Sequence, residues 1–279
     1  MLKIAQTGVS QTQIKVLALL FMTIDHLGSY GLFHSSKLNG MMRIAGRLAA
    51  PLFLYAVVIS TRETKNINAF IKRLYLSNLL MNFGISILDL MAPSHIWTEI
   101  TPANIFGTFF YVVFLIHAIG SCYEAYRDKR WMQAIKIASC TLVIIILGRV
   151  YFCVVDSLIS SVSAPQLTEL RYVIEAIFPD LFQVEYSMMF VLMGVCLYFS
   201  KTKLSQSIVL MMFSLLSACA FLRYDWWPFN DFFAPKQYWM FLAIPFIMLY
   251  NGERGKGNKY FFYFYYPLHI CILNIVDTL

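Results

Sequence analysis

The chain has 279 residues, 59% of them hydrophobic and only 13% charged, with mean hydropathy +0.64 and a formal charge of +7. That charged share is about half of what a soluble globular domain carries, and the apolar stretches approach the ~20 residues of a spanning helix, so a separate soluble catalytic domain is excluded. The basic excess is a topology signal before it is a ligand signal, which removes nucleic acid from the expected partners.

The opening MLKIAQTGVSQTQIK is weakly polar and enters an apolar run without a small-residue cleavage pattern, so it reads as retained. Apolar runs predict helices near 14–33, 42–60, 70–88, 103–123, 135–155, 182–200, 204–222, 238–250 and 260–276. The expected fold class is therefore all-α, a polytopic transmembrane helix bundle of about nine spans, in a range of 8–10, forming one integral-membrane domain over 1–279. The eighth run holds 13 residues and includes Pro245, so it either recruits Phe232 and Phe233 or forms a broken helix against protein.

Lys and Arg alternate between the two sides of these runs. Lys3 and Lys15, the clusters at 62–73 and 127–136, Lys201 with Lys203, and the 254–259 stretch put 15 on one side, against 5 on the other. This asymmetry predicts a cytoplasmic N-terminus and an outward C-terminus. The longest outward loop, about 156–181, carries Leu170, Val173, Ile174 and Ile177 ahead of Pro179, which predicts a short interfacial helix. WWPF at 226–229 and Trp239 suit an interfacial aromatic belt. The six cysteines lie in or beside apolar runs with no CxxC and read as small core residues. No internal repeat supports two inverted halves.

Several polar groups sit where lipid would reject them. The first run, QIKVLALLFMTIDHLGSYGLF, places Asp25 and His26 well inside the span, so that segment must face protein or a cavity. Adjacent residues on a helix point about 100° apart, so the two need not bond each other, and Asp25 is free to pair with Arg43 or Arg47. Those arginines share one face at i,i+4 in NGMMRIAGRLAAPLFLYAVV, where they would either clamp phosphate or carboxylate oxygens or serve as the counterions. His269 follows Pro267 in KYFFYFYYPLHICIL, and is either a pocket group or a core histidine. His117, Arg149 and Glu185 are further intramembrane groups, with Arg149 and Glu185 a plausible pair. His34, in LFHSSKLNG, competes with His26 as the catalytic imidazole.

Common signatures are missing: HExxH, a paired-cysteine metal pattern, a Walker lysine loop and the GxSxG elbow, so no metal is expected. GERGKGNK at 252–259 is glycine-rich and basic without Walker spacing, and reads as a solvated connector that can also meet anionic headgroups or cofactor phosphates.

Taken in order, IKVLALLFMTIDHLGSYGLF, RIAGRLAAPLFLYAVV and FFYFYYPLHICIL make the chain resemble the TraX family, membrane proteins named for the enzyme that acetylates the N-terminus of conjugative pilin. By that resemblance Asp25 and His26 match the family's Asp-His step, Arg43, Gly46, Arg47 and Pro51 its second-span motif, and Tyr266, Pro267 and His269 its closing motif. The family is distantly similar to transmembrane acyltransferases of the heparan glucosaminide acetyltransferase type, whose histidine stretch is faintly similar to HSSKLNG and keeps His34 in play.

The resemblance implies a membrane-embedded acyltransferase of the bacterial inner membrane. It would take an acetyl group from acetyl-coenzyme A, or another acyl-CoA, and give it to an amine or hydroxyl of a peptide N-terminus, glycan or small molecule. His26 or His34 would be the base, Asp25 its orienting group, and Arg47 or His269 the stabiliser of the thioester oxygen. Arg43, Arg47, His117, Arg149 and Tyr266 are the candidates for contacting the coenzyme. Membrane lipids are expected partners, and a homo-oligomer is compatible with the sequence. The rival readings are a proton-coupled transporter or flippase, built from the same intramembrane Asp, His and Arg, and a noncatalytic membrane assembly protein.

Overall fold

The computed structural model describes residues 8–29, 35–91, 104–160, 174, 176–221, 236–257 and 259–277. His34, most of the 156–181 loop, WWPF, Phe232 and Phe233 lie outside the described residues. The described chain is all-α, and three of its helical stretches, Ser36–Glu63, Ile105–Arg127 and Trp131–Ile159, are long and apolar enough to cross a membrane. It divides into two compact units, Met1–Glu63 with Cys196–Leu273, and Thr64–Val195 with Asn274–Leu279.

The first unit contains α1 (Gln11–Ser29), α2 (Ser36–Gly46), α3 (Ala49–Glu63), and later elements named below. α1 begins at a reciprocal cap: Ser10 N–H donates to Gln13 Oε1 at 2.8 Å and Gln13 N–H to Ser10 Oγ at 3.4 Å. Two more of its first-turn donors are satisfied by the glycine-rich loop, since Gln11 N–H reaches Glu253 O at 2.9 Å and Thr12 N–H reaches Arg254 O at 3.0 Å. Gly255, at φ +74°, permits that approach, because a Cβ there would stand 2.5 Å from Ser10 Oγ. The loop is thus a strap on the start of α1. Gln11 then ties α1 to α3 through Ala56 O and Ser60 Oγ.

The second predicted helix is broken. Pro51 has no N–H for the Arg47 carbonyl, and Arg47 and Leu48 bond three residues back, to Ile44 O and Ala45 O, so α2 ends at Gly46 and α3 restarts at Ala49. α1 packs on both pieces. The contact is close at two glycines: a Cβ on Gly28 would meet Met42 Cβ at 2.8 Å, and one on Gly46 would overlap the Asp25 carboxylate.

α7 (Ser187–Phe199) is shared, its residues through Val195 belonging to the second unit and those from Cys196 to the first, which continues with α8 (Lys203–Phe221). The expected eighth helix is a 3-10 helix, Gln237–Ala243, followed by the six-residue α9 (Ile244–Leu249) with Pro245 in its first turn. This is the broken-helix alternative, and it packs against α8 and α3. α10 (Lys259–Asp277) carries Pro267 in its interior. Its aromatics Phe262, Tyr265 and Tyr266 pack on Leu19, Met22 and Ala49.

The second unit is built on α4 (Ile67–Met91), α5 (Ile105–Arg127) and α6 (Trp131–Ser160), with α5 packed on both neighbours. Its non-helical stretch at 178–186, and the helical residues 176–177 before it, are held by side chains. Tyr75 and Tyr111 donate to the Ile177 and Pro179 carbonyls, Thr108 donates to Glu185 O, and Gly148 leaves room for Pro179 O. Irregular backbone is tolerated among membrane-length helices when its polar groups are satisfied in this way. Arg149 pairs with Asp180 at 2.8 Å, rather than with Glu185, because Asp180 is the carboxylate this clamped segment presents to α6. Asn104 caps α5 and donates to Asn78 Oδ1, to which Asn82 of the same helix also turns.

α6 exposes Leu142, Val143, Ile144, Ile146, Leu147 and Val150, apolar nearly all round, as a lipid-facing helix does. The cysteines correct an expectation: none of the six is buried, and Cys140, Cys153, Cys196 and Cys219 are exposed on helix surfaces. A thiol is weakly polar enough to stand there without a partner.

Candidate functional site

Asp25 on α1 is the centre of a buried charge cluster. Its Oδ2 lies 2.9 Å from Arg43 Nη1, and Arg47 Nη2 donates to both carboxylate oxygens, at 3.0 and 3.1 Å. Asp25 and Arg47 are each 7% exposed, whereas the Arg43 side chain is 36% exposed at the edge of the cluster. Arg47 is further fixed by donating Nε–H to Arg43 O at 3.1 Å and Nη1–H to Gln237 Oε1 at 3.1 Å. The α2–α3 break makes this geometry, since it lets Arg47 bond back over the last turn of α2 while Gly46 admits the carboxylate beside it.

Gln237 comes from the 3-10 helix, is fully buried, and follows Lys236 in a left-handed conformation at φ +77°. It is a residue that sequence reasoning missed, because it stands 190 positions from Arg47 and nothing in the sequence links the two.

One residue after Asp25, His26 points elsewhere. Its Nδ1 lies 2.7 Å from His269 Nε2, and the rings are parallel within 2° with centroids 4.9 Å apart. His269 is 6% exposed, and its Nδ1 contacts the Tyr265 carbonyl at 3.1 Å. The Tyr265 and Tyr266 rings lie against it, with centroids 5.4 and 5.6 Å from the imidazole. The Tyr265 hydroxyl in turn meets Thr23 Oγ1 at 2.8 Å. Thr23 stands one turn before His26 and Tyr265 one turn before His269, a spacing visible in the sequence once the two histidines are paired.

Of the residues singled out from sequence, Asp25, His26, Arg43, Arg47, Tyr266 and His269 therefore converge in the first unit. His117, half-buried on α5, and Arg149, on α6, belong to the second unit. His34 lies outside the described residues. Among the described residues no group of three or more His, Cys, Asp or Glu is placed to hold a metal ion.

The triad of one carboxylate and two guanidiniums carries a net single positive charge in a buried setting. Such a cluster favours negative charge developing beside it, and the neighbouring imidazole pair can take up and return a proton. No curated protein and no solved structure matches the chain. The family model described as TraX protein matches residues 10–277, so it takes in the Asp25 cluster and the histidine pair alike. The chain belongs to the TraX family.

Proposed function

We propose that this protein is a membrane-embedded acyltransferase that uses acetyl-coenzyme A, or another acyl-CoA, to acylate an amine or hydroxyl acceptor. Family membership supports the reaction class. The observation that carries the reading is the 2.7 Å contact between two intramembrane histidines, adjacent in sequence to a carboxylate held by two arginines. Intramembrane ionisable groups are costly and persist where chemistry or transport uses them.

In this reading the acceptor's amine or hydroxyl attacks the thioester carbonyl as His26 removes its proton. The new bond to the carbonyl carbon forms, the carbon–sulfur bond breaks, and the proton passes to the departing thiolate, so free coenzyme A leaves and no covalent acyl-enzyme is needed. The cationic cluster favours the oxyanion of the tetrahedral intermediate, with Arg43, at its exposed edge, as the nearer contact for an incoming anionic group. Arg47, engaged by Asp25, Gln237 and Arg43 O, holds Asp25 in place. The remaining roles follow the same reading: His117, Arg149 and Tyr266 as coenzyme contacts, and His34 as the rival base. The chain acts as one integral domain of about nine spans in a bacterial inner membrane, N-terminus in the cytoplasm, with lipids around it.

The test is acetyl-CoA consumption by purified protein with a panel of amine and hydroxyl acceptors. His26→Ala lowers turnover by about 10²–10⁴-fold, the usual contribution of a general base. Full turnover in His26→Ala with loss in His34→Ala would transfer the role to His34. The same histidine contact also favours a proton-coupled transporter, and substrate movement that follows a proton gradient without thioester cleavage would establish that reading instead.

A further inference from the structure

The geometry points to Tyr265 as a positioning residue that fixes which nitrogen of the histidine pair is the base, through two separate contacts. The first is its carbonyl. A carbonyl oxygen only accepts, so the 3.1 Å contact requires the proton on His269 Nδ1, and a neutral His269 then presents a bare Nε2. That nitrogen is an acceptor, so His26 donates Nδ1–H to it across 2.7 Å, and a neutral His26 keeps its lone pair on Nε2. The Tyr265 carbonyl, with the Tyr266 backbone beside it, thereby sets both tautomers.

The second contact is the phenol. Thr23 Oγ1–H donates to Leu19 O at 2.9 Å, so its oxygen accepts the Tyr265 hydroxyl proton at 2.8 Å. Thr23 and Tyr265 form a rung between α1 and α10 one helical turn from the His26–His269 rung. The Tyr265 ring also stacks on His269, 17° from parallel. The phenol rung holds the two helices at the separation at which the imidazoles meet.

The inference rests on the acyl-transfer reading and deepens it by giving the proton a route. In the resting pair the His26 Nδ1–H points at His269 Nε2. When His26 Nε2 takes the acceptor's proton, the Nδ1 proton moves onto His269, which becomes the imidazolium with one N–H on the Tyr265 carbonyl and the other on His26 Nδ1. The charge then sits on the ring whose two donors are both satisfied, and His26 Nε2–H is ready to return a proton to the thiolate sulfur. The shift reverses as that proton leaves, so the pair ends as it began.

The two contacts separate experimentally. Nitrogen-15 spectra of histidine-labelled protein in nanodiscs, with both rings neutral, should show His26 and His269 each protonated on Nδ1. Tyr265→Phe keeps the carbonyl and removes the rung: His269 stays Nδ1-protonated, whereas His26 becomes a mixture of tautomers. Turnover with acetyl-CoA falls about tenfold while KM for acetyl-CoA stays unchanged, the signature of a misplaced base rather than of lost binding. Thr23→Val reproduces both changes, and Thr23→Ser, which keeps the hydroxyl, recovers them. Wild-type His269 protonated on Nε2 would overturn the tautomer assignment. A His26 that stays purely Nδ1-protonated in Tyr265→Phe and Thr23→Val would overturn the rung. The spectra decide this even if no acceptor supports turnover, an outcome that would count against acyl transfer alone.

Discussion

Asp25 holds two guanidiniums with one carboxylate, and the consequences of cutting that cluster differ by residue. Removing one partner of a buried pair leaves the other charge uncompensated and costs about 3–5 kcal/mol. Asp25→Asn should therefore lower the thermal midpoint of the purified protein sharply, and Arg47→Met, at a site 7% exposed, should do nearly as much. Arg43→Met, with a side chain 36% exposed, should cost less stability but still reduce turnover if it meets the substrate's anionic groups. Arg47→Lys should not restore Arg47, since three separate partners require the guanidinium fork. Asp25 and its two arginines were legible in sequence because few other charges occur in these runs. Gln237 was not, because a polar residue in a short aromatic stretch has no periodicity that assigns it a partner. Arg149 was legible as a charge inside an apolar run, but its partner depended on how the chain around Pro179 turns.

Two sequence elements set the distances at which those residues meet. The α2–α3 break follows from Pro51, and Pro51→Ala would supply the missing donor for the Arg47 carbonyl. The helix should then run more continuously through 47–48 and carry Arg47 away from Asp25, seen as lost turnover with little loss of helical content by circular dichroism. The α1–α2 contact depends on glycine at two positions. Gly46→Ala drives a methyl group into the Asp25 carboxylate and should abolish activity and lower the yield of folded protein. Gly84→Ala is the matched control: among the described residues nothing stands within 4 Å of that Cβ, so stability should rise by about 0.5–1 kcal/mol. The all-α character was readable from hydropathy alone, and among the described residues three helices are long and apolar enough to cross a membrane. What hydropathy could not reveal was the interruption at 47–48, because a run that is apolar on average passes through a break made by backbone hydrogen bonding. The same limit applied at 237–249, where Pro245 signalled a broken element without fixing its 3-10 first half.

Across the whole molecule, the 15 to 5 division of basic residues is the feature with the widest reach, and it makes a direct prediction about sidedness. Single cysteines at Lys129 and Gly252, in a background lacking the native six, should react with a membrane-impermeant maleimide from the cytoplasmic side, and one at Lys37 from the opposite side. Labelling of all three from one side would remove the proposed topology. The contacts of the site also differ greatly in how much chain they enclose. Asp25 and Arg47 are 22 positions apart, whereas His26 and His269 are 243 apart. During synthesis the carboxylate can therefore be neutralised as soon as the first helical hairpin enters the bilayer, long before the second imidazole exists. A ribosome-bound chain stopped before α10 should insert stably with its charge cluster formed and yet, if the proposed acyl transfer needs the histidine pair, be inert, because His26 has no His269 to meet until α10 arrives.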